Sequence, residues 1–142
     1  CSKCKQVYVK YRHSPGPWRR HSVFGIHVAK PGALVICEGT TDVLRLWDAG
    51  VVSPVAILGS CPSPGQVQLI ASVATRVVSV GDGDDAGRKM NAEISAALDG
   101  LGVPVEVVEL PEGSDPGSLS VEWIKENLPL CAFDVDKTCE SS

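Results

Sequence analysis

From residue 33 onward the hydrophobic positions fall into short blocks separated by turn residues. Ala33-Leu34-Val35-Ile36-Cys37 is a continuous apolar run, the pattern of a strand buried on both faces. Residues 41–49 place Val43, Leu44, Leu46 and Trp47 at helical spacing, and Gly50 stops the run. This spacing assigns Trp47 to the apolar face of the helix, as a core or capping aromatic. Val55-Ala56-Ile57-Leu58 predicts a second buried strand. Ser63-Pro64 has the form of an N-cap followed by a first-turn proline, opening a helix to about Val73. Residues 76–80 predict a third strand, 85–101 a long helix ended by Gly100 and Gly102, and 103–110 a fourth strand with Pro104 near its start. A last short helix is expected from Ser120 to about Leu128, with Trp123 on it. Strand and helix alternate throughout, which predicts an α/β fold with a mainly parallel four-stranded sheet flanked by crossover helices.

With 142 residues, 44% of them hydrophobic, the chain can build one domain with its own core. No apolar run approaches the roughly 18 residues of a membrane span, so no membrane partner is expected. The chain opens on Cys1 rather than Met and shows no signal peptide. That opening suggests a fragment of a longer protein, or a trimmed one.

Charge is divided unevenly. Lys3, Lys5, Lys10, Arg12, Arg19, Arg20 and Lys30 give residues 1–30 a charge of +7 with no Asp or Glu, which leaves −11 for the rest against a net −4. A basic arm beside an acidic domain suits a phosphate-binding protein with a cation-seeking centre. Within the arm, Tyr8, Tyr11 and Trp18 interleave with Lys10, Arg12, Arg19 and Arg20. Aromatics that stack on bases beside cations that hold phosphates suit single-stranded nucleic acid. The alternation of Val7 and Val9 with Tyr8 and Lys10 equally fits an edge strand.

Ligands of parallel sheets bind at the carboxyl ends of the strands, and the acidic residues fall there. The first strand runs into Glu38-Gly39, with Asp42 four residues after the glutamate. The third ends in Gly81-Asp82-Gly83-Asp84-Asp85, and the fourth is followed by Glu112-Gly113-Ser114-Asp115. Gathered carboxylates repel one another unless a cation lies between them. All-oxygen donors favour Mg²⁺ or Mn²⁺ over zinc. Glycine at 39, 81 and 83 is expected to let a phosphate approach the backbone closely. Asp85 is assigned to the turn and the cap of the following helix.

Glu38-Gly39-x-x-Asp42, Asp82-Gly83-Asp84-x-Ala86-Gly87-Arg88-Lys89 and Gly113-x-Asp115-Pro116, in this order and spacing, resemble the Toprim domain. Leu58-Gly59-Ser60 with Ser63-Pro64, and the segment 110–116, resemble its bacterial- and phage-type primase branch, including primase–helicases. Gly81 departs from that branch, which often carries a bulky residue there. The resemblance covers roughly residues 33–128 and implies a Toprim-like Rossmannoid fold. It further implies nucleotidyl transfer that makes RNA primers on single-stranded DNA with two Mg²⁺ or Mn²⁺ ions. By that resemblance Glu38, Asp82 and Asp84 are the catalytic residues, and these three with Asp42 and Asp115 form the metal cluster. Arg88, Lys89, Lys10, Arg12, Arg19, Arg20, Gly39 and Gly83 would meet nucleotide or template. The partners implied are single-stranded DNA, ribonucleotides and a replicative helicase. The location implied is the cytoplasm, in a bacterium or in the host of a virus. A small Toprim nuclease or RNA-processing enzyme, and a non-catalytic nucleic-acid-binding module, are the alternatives.

Three units follow: a basic arm over 1–32, the catalytic domain over 33–128, and a polar tail over 129–142. Cys1 and Cys4 have C-x₂-C spacing, half of a zinc site. His13 and His21 complete no common finger, so a zinc ion there would draw ligands from outside this chain. The arm is therefore expected to be either part of a zinc ribbon or an edge strand.

Overall fold

The computed structural model describes residues 16–133. Four parallel strands form one sheet in the order β2-β1-β3-β4: β1 is Gly32–Cys37, β2 Pro54–Ala56, β3 Ala74–Ser79 and β4 Val105–Val107. The helices α1 (Thr40–Asp48), α2 (Pro64–Val73) and α3 (Asp85–Asp99) make the crossovers, and α4 (Val121–Asn127) follows β4.

The apolar run of β1 is buried because it feeds two cores. Val35 and Cys37 face a core with Val43 and Leu46 of α1 and Ile124 of α4. Leu34 and Ile36 point the other way, into a core with Ile70 of α2 and Met90, Ile94 and Leu98 of α3. With a period of two, each strand supplies both layers. The chain leaves β1 for β2 on one side and then crosses to β3 on the other. The carboxyl ends of β1 and β3 thus meet at the topological switch point, where open α/β sheets hold ligands.

All four expected strands form, two of them shorter than expected. β2 stops at Ala56; Ile57 still donates to Cys37 O at 3.2 Å, and Leu58 then turns to φ 61°. β4 keeps three residues because it is the sheet's edge, with Glu106 and Val107 exposed. On α1, burial falls on Asp42, Val43 and Leu46, while Leu44 is 54% and Trp47 39% exposed. Trp47 is therefore not a core residue: it and Leu44, three residues apart, lie on the more exposed side of α1. Trp123 packs against the α1–α4 core as expected.

The outer boundaries also move. Val23 is buried, and Phe24 exchanges two backbone hydrogen bonds with Ala56, at 2.8 and 3.0 Å, in an antiparallel bridge. Residues 23 and 24 thus belong to the body of the domain and not to an arm. At the other end Cys131 and Ala132 are buried, and Ala132 O accepts the Val52 N–H at 2.9 Å, so the domain continues past residue 128. Cys1, Cys4 and the Val7–Lys10 segment lie outside the described residues.

Candidate functional site

The site assembles from the loops that follow β1, β3 and β4. Glu38 is the first residue beyond β1, and its Oε1 accepts the backbone N–H of Asp82 at 3.3 Å. That bond ties the first two loops together. The loop after β4 folds over the Asp82-Gly83-Asp84 turn: Gly83 donates to Ser114 O and Gly113 donates to Gly83 O, both at 2.7 Å. Asp84 caps α3, its Oδ1 accepting from Gly87 N at 2.8 Å. The cap expected of Asp85 thus falls one residue earlier, and Asp85 is an exposed first-turn residue paired with Arg88.

Asp42 and Asp115 are committed to the backbone. Asp42 is buried, with Oδ2 accepting from Gly39 N at 3.0 Å and Oδ1 from Gly117 N at 3.1 Å. Asp115 Oδ1 accepts from Ser118 N at 2.8 Å at the start of a single 3₁₀ turn. Asp42 thereby fastens the loop after β4 to the start of α1.

Asp82 has no such commitment. Its Oδ1 is buried and is the one buried side-chain oxygen without a hydrogen-bond partner among the described residues. Burial pushes its carboxyl up to about 7 from an ordinary 3.8, with Glu38, Asp42, Asp115 and Asp84 adding repulsion in that order. Glu38 is raised too, first by burial; the Asp82 N–H opposes this and the charges of Asp84 and Asp42 add to it. Beneath them the buried Cys37 thiol is raised by desolvation and by the same acids. A buried, unpartnered carboxylate oxygen facing four other acids is costly unless a cation neutralises it. The donors are all oxygen, which suits a hard divalent ion. Yet no three His, Cys, Asp or Glu among the described residues are grouped closely enough to hold an ion by themselves. A cation here would therefore take further oxygens from water or substrate.

The glycines of these loops sit where backbone packs closely. Gly39, Gly81 and Gly83 have no positive φ. A Cβ on Gly83 would lie 2.1 Å from Pro111 O, and one on Gly81 2.3 Å from Gly87 O. Gly87 is tighter still, with Asp82 O at 1.9 Å. The missing side chains at 81 and 87 let the turn between β3 and α3 close on itself, and at 83 let the loop after β4 pack onto it.

The cations are partly engaged. Arg88 bridges Asp85 at 2.7 Å and Glu112 at 3.1 Å, and Lys89 faces Glu93 at 3.7 Å. Arg19 and Arg20 sit on a 3₁₀ turn beside a cavity of about 430 Å³ that Leu58, Gly59, Ser60 and Ser63 help to line. Gly59 N–H donates to Glu38 O at 3.3 Å, which places the cavity next to the acidic loops. Arg19 Nη2 donates to Leu58 O, and Ser63 Oγ to Arg20 O. Lys10 and Arg12 lie outside the described residues.

Two buried amides that the sequence reading passed over organise this edge. Gln66 donates from Nε2 towards Arg19 O, Ser22 O and Ile57 O at 2.7–2.9 Å, locking the arginine turn onto α2. Asn91 accepts at Oδ1 from Ser79 Oγ at 2.7 Å and Gly81 N at 2.9 Å. The signal was present, since both are uncharged polar residues on faces that otherwise carry Val67 and Ile70, or Met90, Ile94 and Leu98.

Residues 35–120 match the family model described as Toprim-like. The chain belongs to the Toprim-like family. The DNA primase of Aquifex aeolicus (strain VF5) is 36% identical over 127 residues, which cover 84% of this chain and 26% of that protein. The DNA primase of Halalkalibacterium halodurans is 32% identical over 117 residues, 79% of this chain and 20% of the relative. This Toprim-like chain thus spans about a quarter or less of the length of these relatives. The crystal structure of the Aquifex aeolicus primase zinc-binding and RNA polymerase domains superposes with a TM-score of 0.67 at 34% identity, covering 86% of this chain and 31% of that one. A DnaG primase catalytic domain bound to ssDNA gives 0.62 at 28% identity, covering 81% and 41%. The four-stranded parallel Toprim sheet expected from the sequence is therefore the observed fold. Among the described residues, no helix is long and apolar enough to cross a membrane.

Proposed function

We propose that this Toprim-like chain is the catalytic module of a primase-type nucleotidyltransferase, joining ribonucleotides into RNA primers on single-stranded DNA. The observation that carries the reading is the buried, unpartnered Oδ1 of Asp82, a residue whose backbone N–H reaches Glu38 where β1 and β3 end side by side. The primases it resembles support the choice of reaction. Glu38, Asp82 and Asp84 are the catalytic acids, and with Asp42 and Asp115 they hold Mg²⁺ or Mn²⁺, two ions in all. Such ions would neutralise phosphate charge and align attacking and leaving oxygens. Because Asp42 and Asp115 already accept backbone hydrogen bonds, their part is to support the cluster from its rim.

Arg19 and Arg20, with Lys10 and Arg12 of the arm, bind template or nucleotide phosphates. Gly39 and Gly83 offer backbone at the edge, and Arg88 and Lys89 reach phosphate once released from Asp85, Glu112 and Glu93. A replicative helicase as associate and the cytoplasm as location complete the reading.

The test is a paired assay with Mn²⁺ or Mg²⁺, offering labelled ribonucleotides on single-stranded DNA and labelled DNA and RNA as cleavage substrates. Wild type is run beside Asp82→Asn and Glu38→Gln. Short RNA products lost in both variants support the reading. Metal-dependent cleavage without synthesis replaces it with a nuclease. Binding of single-stranded DNA without either reaction replaces it with a non-catalytic module.

A further inference from the structure

Asn91 is 3% exposed on the α3 face that otherwise presents Met90, Ile94 and Leu98 to the core. An amide there is unfavourable unless its hydrogen bonds are made. Its Oδ1 takes two donors at once, the fully buried Ser79 hydroxyl at the end of β3 and the Gly81 N–H. The second bond fixes the Val80–Gly81 peptide, one unit ahead of the Gly81–Asp82 peptide whose N–H reaches Glu38. On the far side the Asp84 N–H donates to Asp82 O at 2.8 Å. The Asp82 N–H, between these clamps, is left to reach Glu38 Oε1. A Cβ on Gly81 would lie 3.0 Å from Asn91 Oδ1, so amide and glycine are fitted to one another.

We infer that Asn91 is a positioning residue that sets the separation of Glu38 and Asp82 by holding the Gly81 peptide, and that divalent-cation affinity at this edge depends on it. The inference rests on the reading of the edge as a cation centre. Asn91 touches neither cation nor substrate; it acts through the main chain of Gly81. Replacing its oxygen with a methyl frees the Gly81 N–H and the Ser79 hydroxyl in a place water does not reach. The Asp82 peptide then relaxes away from β1, and Asp82 and Glu38 separate.

Mn²⁺ binding to the full 142-residue chain, followed by the loss of the free-ion EPR signal, tests this in wild type, Asn91→Leu and Ile94→Ala. Ile94→Ala damages the same helix and core without touching the loop. The expected result is Mn²⁺ affinity about tenfold or more lower in Asn91→Leu, as for other groups that orient metal ligands, with Ile94→Ala matching wild type. Equal affinity in wild type and Asn91→Leu, or an equal loss in Ile94→Ala, overturns the inference and leaves the cation centre standing. A wild-type chain that takes up no Mn²⁺ overturns the cation reading, and the inference with it. Should Asn91→Leu not fold, amide hydrogen exchange in the wild type with EDTA present decides. Gly81 exchanging as slowly as Val78 supports the clamp, and Gly81 exchanging as an open loop overturns it.

Discussion

The backbone N–H of Asp82 donates to the side chain of Glu38 at 3.3 Å, across the gap between the two central strands. Through this bond the Asp82 main chain partly offsets the charge on Glu38, while the Asp82 side chain adds to the repulsion around it. The acidic edge is consequently held together by peptide N–H groups at Glu38, Asp42, Asp84 and Asp115, and Asp82 alone keeps a buried oxygen without a partner.

The raised Asp82 carboxyl makes stability fall as pH rises. Below its ordinary value of 3.8 the group is protonated in folded and unfolded chains alike and shifts neither. Between 3.8 and about 7 the unfolded chain has released the proton that the folded chain still holds, so each step upward disfavours folding, and above about 7 the loss is complete. Glu38, raised in the same direction, adds to the trend. In EDTA, the Tm of the wild type is expected to fall between pH values of about 4 and 7, and that of Asp82→Asn to fall less. Parallel profiles would remove Asp82 as the source.

A divalent ion that binds only the folded chain stabilises it by mass action. Mn²⁺ or Mg²⁺ is expected to raise the wild-type Tm near neutral pH and to leave Asp82→Asn unmoved. Thermal shifts with and without EDTA provide the check, and an equal rise in the variant would move the ion elsewhere.

Asp84 has a capping role that can be separated from its proposed catalytic one. Asparagine caps as well as aspartate, whereas alanine at an N-cap costs typically about 1 kcal/mol. Asp84→Asn is expected to keep its unfolding free energy within about 0.5 kcal/mol and to lose primer synthesis. Asp84→Ala is expected to lose both. Denaturant unfolding beside the primer assay distinguishes them.

Gly87 lies in the first turn of α3, where alanine would ordinarily favour the helix by about 1 kcal/mol. Its missing Cβ would fall 1.9 Å from Asp82 O. Gly87→Ala is therefore expected to destabilise the chain by about 1–3 kcal/mol or more, as overpacking does, and to weaken Mn²⁺ binding. An unchanged or raised stability would show that the turn can yield.

Gln66 holds the arginine turn to the body. Gln66→Leu strands buried carbonyls and is expected to cost about 1–3 kcal/mol. It should also release Arg19 and Arg20 from their cavity, which tighter salt dependence of single-stranded DNA binding would report as a change in slope.

The sequence by itself determined the order of strands and helices, the parallel sheet and the edge at which the acids collect. Those follow from local causes: apolar runs too short for helices, N-caps at Ser63 and Ser120, and the rule that ligands gather at strand ends. Burial on α1 was legible only in part, because helical spacing marks an apolar stripe without saying how much of it a neighbour covers. Leu44 and Trp47 were left outside when α4 packed along Val43 and Leu46. The jobs of the individual acids and glycines were decided by tertiary structure. Whether a carboxylate oxygen accepts a backbone N–H from another loop, as Asp42 Oδ1 does from Gly117, or stays buried without a partner, as Asp82 Oδ1 does, depends on which loops meet in space. So does the need for glycine at 83, where the missing side chain makes room for the Pro111 carbonyl of the loop after β4.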